Sequence, residues 1–453
     1  MKSLKRNIVY IIFSSLLLFI LISGCSNQQV SESTESSQRI TNDEELETVQ
    51  NLKSEHIKPI ELESSDYSDL EFLKEILEDK RVVMLGESSH GVAEYNQIKG
   101  RLIQFLHEEL GYNVVAFESG LTEVGSTNEI LAEIDTITAL KNSLFQPWHT
   151  TKNNILFNYF KQEKSTNQPI NIAGFDMQAM GGLEGKSLYQ LVEGIDLEYA
   201  KAIKVAEKEF YNLTVKETIN KIPEDWNEKA KGLVDQYNNM LSELNNENSL
   251  LSRSFDENVI QLLRKSFEQR IYSLSNIFNN EEYHTSMTGF NLRDKTMSEN
   301  LVWLLEEMYP NEKFVVWAHN AHIMKYRSKV KTADNYPSPI FVSFVENLPE
   351  SIKEDSYIIG LYMYSGKNKG NDQEVMDVST DHKTHSIENF LNQPGFPASF
   401  INIDIDDDTE NKYWWNSEIT SKYWGVTEET FIPSEQYDGL IQIDKVNPPI
   451  YFP

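Results

Sequence analysis

Short runs of apolar and β-branched residues recur along this chain, separated by longer polar segments. A continuous apolar run of four to eight residues between polar or turn residues is typical of a buried strand. The clearest runs predict strands at Arg81–Gly86, Asn113–Phe117, Pro169–Phe175, Lys313–Trp317 and Tyr357–Tyr362. Two weaker runs predict further strands at Ser399–Ile405 and Gly439–Ile443.

The segment between the first two predicted strands has a different period. In Val92–Leu110 the apolar residues fall at roughly helical spacing, which predicts an amphipathic helix. Strand, helix and strand in succession, with strands apolar on both faces, indicate parallel βαβ units covered by helices on both sides. We therefore predict an α/β fold with a mostly parallel central sheet flanked by helices.

A long segment without a convincing strand separates the third and fourth predicted strands. Leu183–Asn300 is rich in Leu, Glu, Lys, Asn and Ala and predicts several long helices, a large all-helical insertion in the sheet domain. An insertion after a strand end lands on the carboxyl edge of the sheet, so we expect these helices to shape a wide cleft for a bulky substrate. The alternative is a helical packing module remote from that edge.

The amino-terminal residues predict a targeting segment. Three basic residues, Lys2, Lys5 and Arg6, precede the charge-free, mostly apolar run Ile8–Ile22, which is shorter than the ~20 residues of a membrane span. The sequence Ile-Ser-Gly-Cys that ends at Cys25 resembles the lipobox of bacterial lipoproteins, and Cys25 is the only cysteine of the chain. An ordinary secretory signal or an uncleaved anchor is the alternative.

These features predict a domain organisation and a location. Residues 1–24 are the expected lipoprotein signal peptide, Cys25 the expected lipidation site, residues 25–50 a disordered polar tether, and residues 51–453 the folded domain. The expected location is the outer face of a bacterial cell membrane, with membrane contact through the lipid anchor only. A formal net charge of −29 over 453 residues repels phosphate backbones, so a nucleic-acid partner is not expected.

Ionisable side chains follow the first four of the strongly predicted strands. They are Glu87 and His90, Glu118, Asp176, and His319 with His322, in chain order. A single carboxylate after a strand is usually the N-cap of the next helix. Ligands bind at the carboxyl ends of parallel strands, however, and four successive ends with such residues predict a convergent site.

Three kinds of chemistry fit these residue types. A histidine held by a carboxylate can act as a general base on water; histidines and carboxylates can also bind a metal, although His319 and His322 lack a familiar ligand spacing. Nucleophilic attack by Ser88 or Ser89 is the third, but the nucleophile-elbow pattern is absent and both serines are better read as caps of the helix that starts near Gly91. No tightly bound cofactor is expected, and a divalent metal stays open.

Five motifs in order resemble those of the erythromycin esterase family. They are LGESSHG at 85–91, VAFESG at 115–120, AGFDMQ at 173–178, NLRDKTMSEN at 291–300 and VVWAHNAH at 315–322. The resemblance implies an α/β fold with helical insertions. It also implies hydrolysis of a macrolide lactone ester by activated water, without a covalent intermediate on the enzyme.

The resemblance assigns roles motif by motif. It implies that His90 is the general base, that Glu87 and Glu118 are the acidic residues around it, and that His319 and His322 face them. Substrate-binding roles are expected for His322, Lys99, Asp176 and Arg293. The family often has an arginine nine residues after the base, where this chain has Lys99, which keeps the charge but not the planar fork.

The predicted function is therefore hydrolysis of a carboxylic ester or lactone, such as a macrolide, by a histidine general base. The expected partner is a small-molecule ester or lactone. Two alternatives remain open: a hydrolase or transferase acting on a cell-envelope ester or saccharide, and a surface-anchored binding protein with a decayed active site. The second alternative gives no reason for so many ionisable groups at one sheet edge.

Overall fold

A computed structural model describes residues 56–179, 186–216, 224–278, 287–332, 340–371, 373–393, 395–404 and 413–452. The predicted signal peptide, Cys25 and the predicted tether lie outside the described residues. Among the helices that the structure describes, none is both long enough and apolar enough to cross a membrane.

The strands and helices of the described residues follow the alternation predicted from the sequence. The strands are β1 Ile57–Ile60, β2 Val82–Leu85, β3 Tyr112–Gly120, β4 Asn171–Asp176, β5 Lys313–Trp317, β6 Lys331–Thr332, β7 Ser356–Lys369, β8 Val375–Asp377, β9 Ala398–Asn402, β10 Ile419–Tyr423, β11 Thr427–Phe431 and β12 Gly439–Val446. The helices are α1 Leu73–Leu77, α2 Ala93–Leu110, α3 Leu121–Ile130, α4 Thr136–Ser143, α5 Thr151–Glu163, α6 Lys186–Glu193, α7 Leu197–Tyr211, α8 Trp226–Leu244, α9 Leu250–Ser254, α10 Glu257–Asn276, α11 Met287–Trp303, α12 Asn320–Ile323, α13 Glu350–Glu354, α14 Ile387–Leu391 and α15 Pro433–Gln436.

The central sheet has the strand order β1–β9–β12–β7–β2–β5–β3–β4, and β8 pairs with the far end of β7. The six strands from β12 to β4 are parallel, whereas β9 and β1 pair antiparallel at one end. The five strong strand predictions and the two weaker ones are all strands of this sheet. The predicted α/β fold with a mostly parallel sheet is therefore confirmed.

Both faces of the sheet are covered, as the continuous apolar strands require. Along β2 the side chains alternate: Val83 and Leu85 pack in one apolar layer with α2, and Val82 and Met84 pack in the opposite layer with α11. All four are buried. A strand with such a pattern on both faces lies between two helical layers, and the strand order places β2 in the interior of the sheet.

The described residues of the predicted insertion are helical. Helices α6 to α10 bury their own apolar cluster, and α6 and α10 contact α3, the helix that follows β3. A buried ion pair reinforces this contact, because the guanidinium of Arg270 on α10 lies 3.0 Å from a carboxylate oxygen of Glu207 and 3.2 Å from one of Glu123 on α3. The last helix of the segment, α11, reaches the strand ends through Arg293, which contacts Glu118 and Asp176. The wide cleft stays a prediction.

A second, three-stranded antiparallel sheet, β10–β11–β6, was not predicted. Its strands Ile419–Tyr423 and Thr427–Phe431 carry polar residues in most positions, so they lack the apolar runs used to find the other strands. The β10–β11 hairpin nevertheless lies against the carboxyl edge of the main sheet, since the amide of Trp424 donates to the carbonyl of Ser88 at 3.0 Å.

Candidate active site

The carboxyl ends of four adjacent strands, β2, β5, β3 and β4, bring the predicted site residues together. β5 lies between β2 and β3, so the strand that carries Glu118 is not adjacent to the strand that His90 follows. His319 at the end of β5 occupies the position between them, with its ring centroid 5.1 Å from that of His90. β3 also runs on to Gly120, and its register against β4 shifts between Phe117 and Gly120, where Glu118 lies.

The turn after β2 is shaped by a close approach to α12, the short helix that follows β5. A Cβ atom at Gly86 would lie 2.0 Å from the side-chain oxygen of Asn320, so only glycine fits there. That side chain spans the gap to β7, because it donates to the carbonyl of Leu361 at 2.9 Å and accepts from its amide at 3.2 Å. The strand ends that carry the site are thereby fixed relative to one another.

Glu87 is a fully buried carboxylate at the centre of the first half of the site. Its Oε1 lies 2.6 Å from Nδ1 of His90 and accepts the indole N–H of Trp148 at 2.9 Å. A carboxylate can only accept, so Nδ1 carries a proton, and in the neutral form of the ring the lone pair is on Nε2. The geometry is that of a histidine base whose tautomer is fixed by a carboxylate.

Lys99 binds the other oxygen of Glu87, at 2.8 Å, and its ammonium lies 4.3 Å from the centre of the Trp317 ring. The side chain is fully buried, and burial lowers the pKa of Lys99 to about 8 although Glu87 raises it in part. Lys99 thus binds Glu87, and the substrate contact expected for Lys99 from the sequence stays a prediction.

His319 is the N-cap of α12. Its Nδ1 accepts the amide hydrogen of Ala321 at 3.1 Å, which places the proton on Nε2. Nε2 is buried and finds no partner in the part of the chain that the structure describes. Burial lowers the pKa of His319 far below its usual range, and nearby His90 lowers it further, so the ring is neutral. The site therefore holds a neutral imidazole with a donor left for a ligand.

The second half of the site is a network of buried charges around Arg293 of α11. The guanidinium lies 2.6 Å from Oδ2 of Asp176 and 2.9 Å from Oε1 of Glu118. The Nδ1 of His322 lies 2.7 Å from Asp294, and its Nε2 lies 3.2 Å from the same Glu118 oxygen. The other oxygen of Glu118 accepts the amide of His319 at 2.8 Å, which joins the two halves of the site.

The opposite charges in this network stabilise one another's ionised forms. Burial alone raises the pKa of Glu118, but the positive charges of His322 and Arg293 bring it well below its usual range. Burial lowers the pKa of His322, and Asp294 and Glu118 outweigh it and raise the value to about 9. At neutral pH this half contains two cations, Arg293 and His322, and three carboxyl groups. The substrate contact expected for Asp176 from the sequence stays a prediction.

Neither serine of the turn occupies the predicted position. The first residue of α2 is Ala93, and its N-cap Val92 makes no side-chain capping bond, so Ser88 and Ser89 are not caps. The hydroxyl of Ser88 lies 2.8 Å from that of Tyr95, and Ser89 donates to a backbone carbonyl at 3.4 Å. The residue before the helix, Val92, is extended, and the hydroxyl groups of both serines bind groups other than His90.

Among the described residues, no group of three or more His, Asp or Glu side chains is arranged to hold a metal ion. The carboxylates of the site are engaged by cations and amides instead. The expectation that the protein has no tightly bound cofactor stays a prediction.

The comparisons with known proteins identify the family. The family model of erythromycin esterase matches residues 107–446, about three quarters of the chain. The chain belongs to the erythromycin esterase family. The match includes Glu118, Asp176, Arg293 and both histidines after β5, and begins after the turn that carries His90.

The relatives of this chain can be aligned with it over most of their length. YbfO of Bacillus subtilis (strain 168), whose name marks it as a provisional hydrolase, is 31% identical over 87% of this chain and 90% of its own. Erythromycin esterase type II of Escherichia coli is 23% identical over 70% of this chain and 77% of the length of that protein. A structure of a variant of erythromycin esterase EreC in its open conformation has a TM-score of 0.56, with 16% identity, over 87% of this chain and 98% of that one.

Several residues of the site were missed from the sequence. Trp148 and Trp424 flank His90, with ring centroids 4.9 Å and 5.4 Å from its ring, and Asp294 holds His322. Neither tryptophan follows a predicted strand, so the pattern that indicated the other site residues did not indicate these two. Asp294 is directly next to Arg293, so its position in that motif was the only available signal.

Proposed function

We propose that this protein hydrolyses a carboxylic ester or lactone with water activated by His90. The observation that supports the proposal most is the 2.6 Å contact between Nδ1 of His90 and Glu87, which leaves Nε2 as the acceptor. Membership of the erythromycin esterase family supports hydrolysis as the reaction class. A lactone of macrolide size is the proposed substrate, on the strength of that family alone.

The proposed reaction has two steps. Nε2 of His90 takes a proton from water while the water oxygen bonds to the ester carbonyl carbon, and the carbonyl π electrons move to its oxygen. The tetrahedral intermediate then collapses, the bond to the alcohol oxygen breaks, and the imidazolium returns the proton to that oxygen. Glu87 stabilises the imidazolium between the steps, since it is a buried anion at the opposite ring nitrogen.

His319 is the proposed donor to the oxyanion. Its Nε2–H is buried and unpartnered among described residues, and its ring lies beside that of His90. A neutral imidazole with a fixed donor gains a hydrogen bond to the developing charge at little reorganisation cost. The Arg293 network lies behind it and holds the His319 backbone through Glu118.

The test is a screen of esters and lactones of increasing ring size with the purified protein, in the presence and absence of a chelator. Turnover that the chelator leaves unchanged and that gives the free acid and alcohol is the expected result. Binding of a ring-sized ester without any product, or activity that is lost to the chelator and restored by a metal, contradicts the proposal.

The pH dependence of activity is expected to report Lys99. Its proton is present below about pH 8 and lost above it, and its loss leaves Glu87 buried without its cation. We expect kcat to fall above about pH 8, whereas Lys99→Met, which has no proton to lose, gives a lower kcat with no such fall. An alkaline limb of unchanged position in Lys99→Met assigns the limb to another group.

We also propose that Cys25 is lipidated and anchors the protein to the outer face of the membrane. The basic residues, the apolar run and the lipobox-like sequence support this. Cys25→Ala is expected to remain unprocessed and to lose metabolic labelling by a fatty acid. Equal labelling of the variant and the wild type contradicts the assignment; Ser26→Ala is the matched control.

A further inference from the structure

Trp424 stands in an unusual backbone conformation at the tip of the β10–β11 hairpin. Its φ is +56°, in the left-handed region, and Gly425 follows at φ +71°. Bulky residues rarely adopt this region, and such outliers persist where the surroundings fix them, often at functional sites. A glycine at position 424 meets the same turn without strain, so the turn alone gives no reason for an indole there.

The backbone of Trp424 is fixed from both sides. Its amide donates to the carbonyl of Ser88, in the turn between Glu87 and His90, at 3.0 Å. Its carbonyl accepts the side-chain amide of Asn368 at 2.9 Å. The hairpin is thus joined directly to the turn that carries the proposed base.

The indole lies against both imidazoles of the proposed reaction. It stacks on His319 with ring centroids 5.3 Å apart and planes inclined by 27°, and it meets His90 edge-on at 5.4 Å and 81°. Tyr423 contacts the His319 ring edge-on at 5.2 Å. Among the described residues, the His319 ring makes one hydrogen bond, which Nδ1 accepts from the amide of Ala321, so rotation of the ring is limited mainly by packing against Trp424 and Tyr423.

We infer that Trp424 is a positioning residue that holds the His319 ring in one orientation and one tautomer beside His90. The inference rests on the proposed function, since it assigns Trp424 a part in placing the oxyanion donor. The β10–β11–β6 sheet thus has a function, because its hairpin places one indole against the two imidazole rings. The strained turn is retained because it directs the indole there.

A double-mutant cycle tests the inference. Trp424→Gly keeps the turn and removes the indole, and we expect it to lower kcat by about 100-fold with KM changed less than about threefold. In a His319→Ala background the same substitution is expected to change kcat less than about threefold, because the ring to be positioned is gone. Trp424→Phe, which keeps an aromatic face, is expected to recover most of the loss, and Val426→Ala on the same hairpin is the matched control.

A spectroscopic readout keeps the test independent of turnover. With 15N-labelled histidine, and His319 assigned through His319→Ala, we expect one tautomer of His319 in the wild type and exchange between tautomers in Trp424→Gly. Losses of kcat that multiply in the double variant, or His319 signals identical in the two proteins, overturn the inference. If the wild type turns over no ester or lactone, the proposed function fails, and the His319 spectra alone decide on the positioning role.

Discussion

His90→Ala is expected to lower kcat on the active ester by at least about 1000-fold, since loss of one oxyanion donor alone typically costs 100- to 1000-fold and the base acts in both steps. The structure indicates that this substitution removes activity and not the fold. Glu87 keeps two of its partners, Lys99 at 2.8 Å and Trp148 at 2.9 Å, so the buried carboxylate stays compensated when the imidazole is removed. The fold is therefore expected to survive, and the measurement is kcat with the far-UV spectrum as the check on folding.

The control for this prediction is the serine pair. Ser88 and Ser89 are the only hydroxyl groups within two residues of His90 in the sequence, and their oxygens are engaged with Tyr95 and a backbone carbonyl. Ser88→Ala/Ser89→Ala is expected to keep kcat within about tenfold of the wild type, because no bond is made through either oxygen in the proposed reaction. If the serine variant loses nearly all activity while His90→Ala keeps more than about a tenth of it, a serine is the nucleophile and the base assignment is wrong.

Glu118 shows how far the sequence could predict the site. Parallel βαβ units direct their carboxyl ends to one edge, so strand-end residues were expected to meet, and they do. The order of the strands was not available from the chain, because β5 enters the sheet between β2 and β3 after the long helical segment. Consequently the ring next to that of His90 is the ring of His319, and Glu118 is joined to this part of the site through the amide of His319.

Lys99 and Trp424 show why the rest could not be predicted. Lys99 lies on the apolar face of α2, and whether a lysine there points to substrate or to a buried carboxylate depends on where the helix crosses the sheet. Trp424 lies at the tip of a hairpin whose two strands are mostly polar and only five residues long, so no hydrophobic period indicated this hairpin. How one sheet packs on another depends on tertiary contacts, and a local pattern of residues does not encode them.

Removal of the Arg293 guanidinium is expected to be the most destabilising single change at the site. Arg293→Met is expected to lower the free energy of unfolding by about 3–5 kcal/mol, because Asp176 and Glu118 then stay buried without their shared cation. Lys295→Met is the matched control on the same helix. Lys295 is exposed and lies 3.8 Å from Glu299, so its loss is expected to change stability by less than about 0.5 kcal/mol.

The pH dependence of that difference distinguishes loss of charge from loss of packing. The pKa of Glu118 lies well below its usual value in the folded state, so its contribution to stability is present above the pKa of the unfolded chain and is lost as the pH falls. Arg293→Met removes one of the two cations that depress this pKa, so the variant has less of this contribution to lose. The difference in the free energy of unfolding between the wild type and Arg293→Met, measured by urea unfolding, is therefore expected to become smaller from pH 7 to pH 4. A gap that stays constant over this range means that the cost is one of packing, and that Arg293 does not act as the counter-ion of Glu118.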